Sequence, residues 1–326
     1  MGNRRSRAVG LHSPPTVGEG PPEALADATV PAVQLGVSEA VAVVRVFSAR
    51  LVANSDALDA LNVFPIADND TGTNMAHTLG LITSELHNAT SLDEASRLVE
   101  SAALGGRGNS GLIVGQYLAG FFASADGGGI DIARGVGEGA RWARRAVANP
   151  VEGTMLTVAD VGASALQATP ELTFDALAAI VAAAVEATTD QLAVLAESNV
   201  VDSGAAGLLL FFEALRDVAE GDASTPIPGV IACNVGLDVP GEQAASFEIQ
   251  FRVPVSIIDR DELRSLLTGL GTDVVIASST DELSAHLHVS DPHAATAVIS
   301  TTIERRPGAK AISYEVEPII DFGPRS

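Results

Sequence analysis

Two aspartates, Asp68 and Asp70, stand two residues apart within Leu61-Asn62-Val63-Phe64-Pro65-Ile66-Ala67-Asp68-Asn69-Asp70-Thr71-Gly72-Thr73-Asn74-Met75. Carboxylates at this spacing, backed by Thr71, Thr73 and Asn74, offer hard oxygen ligands that suit Mg²⁺ held together with substrate phosphates. The stretch ends where a helix is expected to begin, and the unpaired amides and positive dipole end of that helix favour a bound anion. The plainer alternative is a solvated turn in which Asp70 or Thr73 caps the helix. The chain has one lysine, Lys310, which excludes a phosphate loop of the G-x-x-x-x-G-K type and any lysine-based covalent chemistry before it. Phosphate handling therefore falls to arginine, backbone amides or metal.

Three more loop-to-helix junctions have the same form. Gly105-Gly106-Arg107-Gly108-Asn109-Ser110-Gly111 allows close backbone approach to a ligand, and Arg107 offers a planar cation for phosphate oxygens. Pro150-Val151-Glu152-Gly153-Thr154-Met155 and Val201-Asp202-Ser203-Gly204-Ala205-Ala206-Gly207 repeat the pattern. Each loop alone is explained by helix capping, since Asp202 or Ser203 would cap a helix anyway. In an up-and-down bundle, loops separated by an even number of helices lie at one end, so several of these can converge on one bound molecule.

Residues 1–34 are rich in Pro, Gly, Ser and Ala and read as a disordered leader. From Ser38 to about Gly221 the apolar residues recur at helical spacing, as with Val41, Val44, Phe47 and Leu51. Eight helices are expected, near 38–57, 74–89, 92–104, 110–124, 131–148, 155–168, 173–197 and 203–220, with no strand among them. Residues 222–245, rich in Pro and Gly, suit a linker between a helical domain (35–221) and a small domain (246–326). In the small domain the periods shorten to a β-α-β-β-α-β order over 247–255, 259–270, 273–277, 283–289, 292–305 and 311–320, the split-βαβ, ferredoxin-like α+β arrangement.

Composition narrows the function classes. The 326 residues are 47% hydrophobic and 18% charged, enough to fold as two domains. Acidic residues outnumber basic ones by 41 to 19, for a net charge of −22, a field that repels phosphate backbones and anionic lipid. Nucleic acid and membrane surfaces are poor partners. The single Cys233 cannot form an internal disulfide, and no apolar run approaches a membrane span, so the expected location is cytoplasmic. Met1-Gly2-Asn3-Arg4-Arg5-Ser6 fits the loose myristoylation pattern, whose three fixed positions recur by chance.

Taken in order, Asn62-Val-Phe-Pro65 leading to Asp68-x-Asp70-Thr-Gly-Thr-Asn-Met75, Gly106-Arg-Gly-Asn-Ser-Gly111, Glu152-Gly-Thr-Met-Leu-Thr157 and Val201-Asp-Ser-Gly204 resemble the helical kinase domain of the dihydroxyacetone kinase L-subunit type, in the branch found in the bacterial fatty acid kinase catalytic subunit. The resemblance covers roughly 36–221 and extends more weakly to the end. It implies an all-α, eight-helix antiparallel barrel with ATP or ADP at one end, reached through Mg²⁺ on Asp68 and Asp70, with Thr71, Thr73 and Asn74 assisting. Arg107, Gly108, Asn109 and Ser110 would cradle phosphate, and Gly153, Thr154, Met155 and Asp202 would line the nucleotide. Asn69 stands where the family has Gly, and Asn tolerates positive φ well. Asn62 lies near where the dihydroxyacetone branch has a further metal-binding Asp, which leaves the number of Mg²⁺ ions open.

The activity implied is an ATP-dependent kinase that forms an acyl phosphate on a fatty acid presented by a carrier protein. A carboxylate acceptor is already ionised at neutral pH and needs no general base. His77, one turn into the second helix, reads as structural. In the small domain, Ala285-His286-Leu287-His288 places two histidines on one strand face, able to reach one Zn²⁺. The resemblance implies a cysteine on the first strand of that domain; Glu248 occupies the register here, so His286, His288 and Glu248 form the candidate zinc set. Solvent-facing strand histidines are the simpler reading. Two other functions stay open: an ATP- or ADP-binding regulatory module whose small domain is a partner or homodimer surface, and a glycerone (dihydroxyacetone) kinase subunit.

Overall fold

The computed structural model describes Val30, residues 33–221 and residues 246–320. The linker at 222–245, Cys233, the amino-terminal acylation pattern and most of the leader lie outside the described residues. The helical domain holds α1 (Val37–Leu61), α2 (Thr71–Leu86), α3 (Leu92–Ala103), α4 (Gly108–Ala123), α5 (Ile132–Ala146), α6 (Met155–Ala168), α7 (Phe174–Ala187), α8 (Ala193–Ser198) and α9 (Ser203–Ala219). Each long helix packs on its neighbour in sequence, α7 reaches past the short α8 to α9, and α9 returns to α1, which closes a ring. Its interior is apolar: Phe211 meets Phe47, Tyr117, Phe121 and Phe212 edge-on, with centroids 5.2 to 5.7 Å apart.

Helix starts follow the capping residues. Ser91, Asp131, Thr173 and Asp202 each accept a backbone amide of the first turn of α3, α5, α7 and α9. Two departures from the sequence reading concern the backbone. The helix expected over 173–197 is two, because the Thr188 hydroxyl donates to the Val185 carbonyl at 2.6 Å and accepts the Asp202 amide at 2.9 Å, giving the chain an alternative to helical bonding. A short ladder also lies among the helices: β1 (Gln34–Leu35) pairs antiparallel with β2 (Ile130–Asp131). The end of the expected leader is thus part of the core. Val30 is fully buried and its amide donates to the Leu172 carbonyl at 2.7 Å.

The small domain comprises β3 (Phe247–Pro254), α10 (Arg260–Thr268), β4 (Thr272–Ser278), β5 (Glu282–Val289), α11 (Pro292–Ile303) and β6 (Tyr314–Pro318). Its sheet is antiparallel in the order β4-β5-β3-β6, as the split βαβ order requires. Alternation divides the strands between two jobs. Ile249, Phe251, Val253, Leu283, Ala285 and Leu287 form a core with Leu263 and Leu267 of α10 and Ile299 of α11. The opposite face, with Glu248, Gln250, His286 and His288, turns toward the helical domain, where Gln250 Nε2 donates to the Gly106 carbonyl at 2.7 Å. Just after α5, Val147 bridges to Val275 and the Ala148 amide donates to the Val274 carbonyl at 2.9 Å. Leu104, Leu112 and Ala146 bury against Val275 and Ala277 to complete the seam.

Candidate functional site

A cavity of about 500 Å³ lies where four helical-domain loops meet the inner face of the sheet. The α1–α2 loop contributes Asn62, Asp68 and Asp70, and the first turn of α2 adds Thr71 and Asn74. Gly108, Asn109 and Ser110 open α4 into the same space, Thr154 and Met155 open α6, and Asp202 precedes α9. From the sheet come Glu248, His286 and His288, together with Asp273. The loops therefore lie at one end of the helical ring; the first three are two helices apart, and the fourth keeps that spacing when α7 and the short α8 are counted as one span.

Local bonding fixes the paired aspartates. Asn69 between them has φ 55°, a left-handed conformation that Asn accepts more readily than most residues, so the tight turn persists without glycine. The Asn62 amide donates to Asp68 Oδ1, and Asn74 Nδ2 donates to Asp70 Oδ2 at 2.8 Å. Burial, and after it the neighbouring Asp70 charge, push the Asp68 carboxyl up to about 8. Two crowded, poorly solvated carboxylates are the electrostatic condition that a divalent cation relieves. The side-chain oxygen of Asn109, a residue that lines the same cavity, is buried without a hydrogen-bond partner among the described residues.

Asp202 is buried, and its Oδ1 accepts the Ala205 amide at 2.7 Å and the Met155 amide at 3.0 Å. Burial raises its carboxyl to about 6 against the pull of those two amides. One carboxylate thus ties the start of α9 to the start of α6. The α5–α6 loop is held from behind, where Arg144 pairs with Glu152 at 2.9 Å and Thr157 donates to Glu152 at 2.6 Å.

On the sheet, one ligand atom from each of Glu248, His286 and His288 falls within 4.8 Å of the others. Neither histidine faces solvent, because docking of the two domains buries the face that carries them; His286 is 1% exposed. Burial first, then His288, pushes the His286 imidazole down to about 3, so it is neutral, and neither of its nitrogens has a hydrogen-bond partner among the described residues. Burial and the charge of Asp70 raise Glu248, so this cluster and the aspartate pair share one field. Two imidazoles and a carboxylate within reach of one point fit a borderline cation such as Zn²⁺.

Several sequence candidates are placed elsewhere. The Thr73 hydroxyl and amide both bond to Asp59, at 2.6 and 3.0 Å, so Thr73 closes the start of α2 from outside the cavity lining. Gly153 has φ 82° and its amide donates to Thr157 at 2.9 Å, a turn-forming position behind the lining. The Arg107 guanidinium pairs with Glu317 of β6, and neither residue lines the cavity. His77 is exposed. Asp59, Asn149 and Asp273 escaped the sequence reading. Asp59 acts from another helix, and Asp273 looks like an ordinary strand residue until the register of β4 is known.

Among curated proteins, the chain is 31% identical over 275 residues to Protein YloV of Bacillus subtilis, a match covering 74% of this chain and 49% of that protein. It is 31% identical over 272 residues to an uncharacterized protein of Staphylococcus epidermidis, and 30% identical over 272 residues to one of Staphylococcus aureus, with the same coverages. The chain spans about half the length of these relatives. Among solved structures, the dihydroxyacetone kinase from C. freundii in complex with AMP-PNP and Mg²⁺ aligns with a TM-score of 0.45 and 20% identity, covering 66% of this chain and 38% of that one. No helix among the described residues is long and apolar enough to cross a membrane. Residues 65–217, which run from the loop of the paired aspartates into α9 and hold all four glycine-bearing junctions, match the family model of the DAK2 domain.

Proposed function

We propose that the protein is a cytoplasmic ATP-dependent kinase that transfers the γ-phosphoryl group to a carboxylate, that of a fatty acid presented by a carrier protein, giving an acyl phosphate. The observation that carries this reading is the convergence of Asp68, Asp70, Asn74, Asn109, Ser110 and Asp202 on one cavity within a DAK2 domain. In this reading the helical ring is the eight-helix antiparallel barrel, and α8 is an insertion before its last helix. Asp68 and Asp70 would hold Mg²⁺, which when bound offsets charge on the β- and γ-phosphates. Asn62 and Asn74 hold the two carboxylates in place, and the first-turn amides of α4 would be the donors for phosphate oxygens. Glu248, His286 and His288 would hold Zn²⁺, a Lewis acid suited to orienting a carboxylate oxygen. No general base is required of the protein, because a fatty acid is already ionised near neutral pH.

Purified protein incubated with labelled ATP, Mg²⁺ and a lipid-loaded carrier is expected to yield acyl phosphate. Nucleotide binding without any transfer would favour the second reading, a regulatory ATP- or ADP-binding module. That reading draws support from Arg107, which is held by Glu317 outside the cavity. Transfer to dihydroxyacetone, with a triose-binding subunit supplied, would instead favour a glycerone kinase subunit.

A further inference from the structure

We propose that Asp273 is a positioning residue that fixes the ring of His288, so that its second nitrogen serves the shared cavity. The local backbone is built around this contact. Thr272 pairs with His288 and Val275 with His286, so three residues of β4 span the distance covered by two of β5. The extra residue makes a bulge, a device that re-aims a side chain beside a site. Asp273 sits in that bulge with φ 52°, a left-handed conformation that costs free energy in a non-glycine residue and clusters at functional positions. The turn approaches β5 so closely that a Cβ on Gly271 would fall 2.1 Å from the His288 carbonyl oxygen.

The result is that Asp273 Oδ2 lies 3.4 Å from His288 Nδ1, an ion-pair distance, and this buried nitrogen has no hydrogen-bond partner among the described residues. A carboxylate within reach of that nitrogen favours the proton on Nδ1, which leaves the lone pair on Nε2. Carboxylates placed behind histidines in this way set ring orientation and basicity. His286 differs: its ring stands edge-on to His288 with centroids 5.1 Å apart, and among the described residues the carboxylate paired with it is Glu248, at 3.8 Å. Of the two histidines, His288 is therefore the one with a set tautomer. The effect on turnover rests on the kinase reading above, whereas the tautomer does not.

The test uses full-length protein with ¹⁵N-labelled histidine and long-range ¹H–¹⁵N spectra at pH 8, above the ordinary imidazole range. Wild-type His288 is expected as the Nδ1–H form. Asp273→Gly removes the carboxylate without straining the left-handed backbone, and it should abolish that preference and lower kcat between about tenfold and a hundredfold at unchanged KM for ATP. Asp273→Asn keeps an acceptor oxygen and tolerates the conformation, so it should restore the tautomer and most of kcat. An Nε2–H wild-type ring, or a Gly variant with the wild-type tautomer, overturns the proposal. If the wild type transfers no phosphate, the kinase reading fails and the tautomer alone decides the role of Asp273.

Discussion

Asn74 Nδ2 donates to Asp70 Oδ2 at 2.8 Å, and the same amide packs against the α-carbon of Gly108 at the start of the next-but-one helix. A Cβ there would lie 2.4 Å from that nitrogen, and Gly108 has φ +60°. The glycine loop and the aspartate loop are thus coupled through one side chain. Gly108→Ala should push the Asn74 amide off Asp70, so the affinity for Mg-ADP is expected to fall about tenfold or more, at the scale of a lost charge-assisted hydrogen bond. Isothermal titration checks this, with Asn74→Ala expected to reproduce the loss.

Mg²⁺ binding should depend on pH through Asp68. Its carboxyl is pushed up to about 8 by burial and by Asp70, so below that pH a proton competes with the cation. Apparent Mg²⁺ affinity is expected to weaken as pH falls from 8.5 to 6.5, by at most about tenfold per unit. Equal affinity at both ends of the window would contradict the assignment. Asp68→Ala should remove metal-dependent nucleotide binding while thermal unfolding changes little, since this carboxylate supports no core.

Asp202 should lower stability at the pH where it works. Its folded value, about 6, lies above the ordinary 3.8 because of burial. A raised carboxyl favours the folded state fully below the ordinary value, and that advantage is lost as pH rises through 6. Above pH 7 the buried charge costs about 3 kcal/mol. Asp202→Asn keeps an oxygen for the Met155 and Ala205 amides, so Tm is expected to rise at pH 7.5 and to match wild type near pH 4. Nucleotide affinity should fall in the same variant, which separates the two roles in one pair of measurements.

Arg107 and Glu317 are each about half exposed, at 49% and 52%, so their pair contributes under about 1 kcal/mol. Glu317→Ala should leave unfolding unchanged yet release Arg107 toward the glycine loop, with KM for ATP expected to drop. Arg107→Ala is expected to lower kcat more than nucleotide affinity if the guanidinium acts on charge developing in transfer. Steady-state kinetics on both variants distinguish this from a purely interdomain contact.

The helices and their loops were legible because Asp, Thr, Gly and Asn mark their ends, and the loops' even spacing placed them at one pole. The alternation in His286-Leu287-His288 likewise put both histidines on one face. Which neighbour covers that face depends on docking between domains, and no local pattern encodes it. The same holds for Arg107, which is a phosphate ligand by residue type and a partner of Glu317 by packing. Asp59 closes α2 from an adjacent helix, and the extra residue at Asp273 is invisible until β4 and β5 are aligned. The break at Thr188 escaped because apolar periodicity continues across it.

The two margins of the small sheet are unequal. The backbone at Val147 and Ala148 meets the outer side of β4 at Val275 and Val274, whereas β6 forms the other margin of the sheet, with Val316 and Ile320 exposed beside it. A foreign polypeptide that lengthens the sheet at β6 would lie alongside Glu317, the anchor of the Arg107 side chain. Occupancy of that rim would then be felt, through one exposed ion pair, at the loop that would meet the triphosphate.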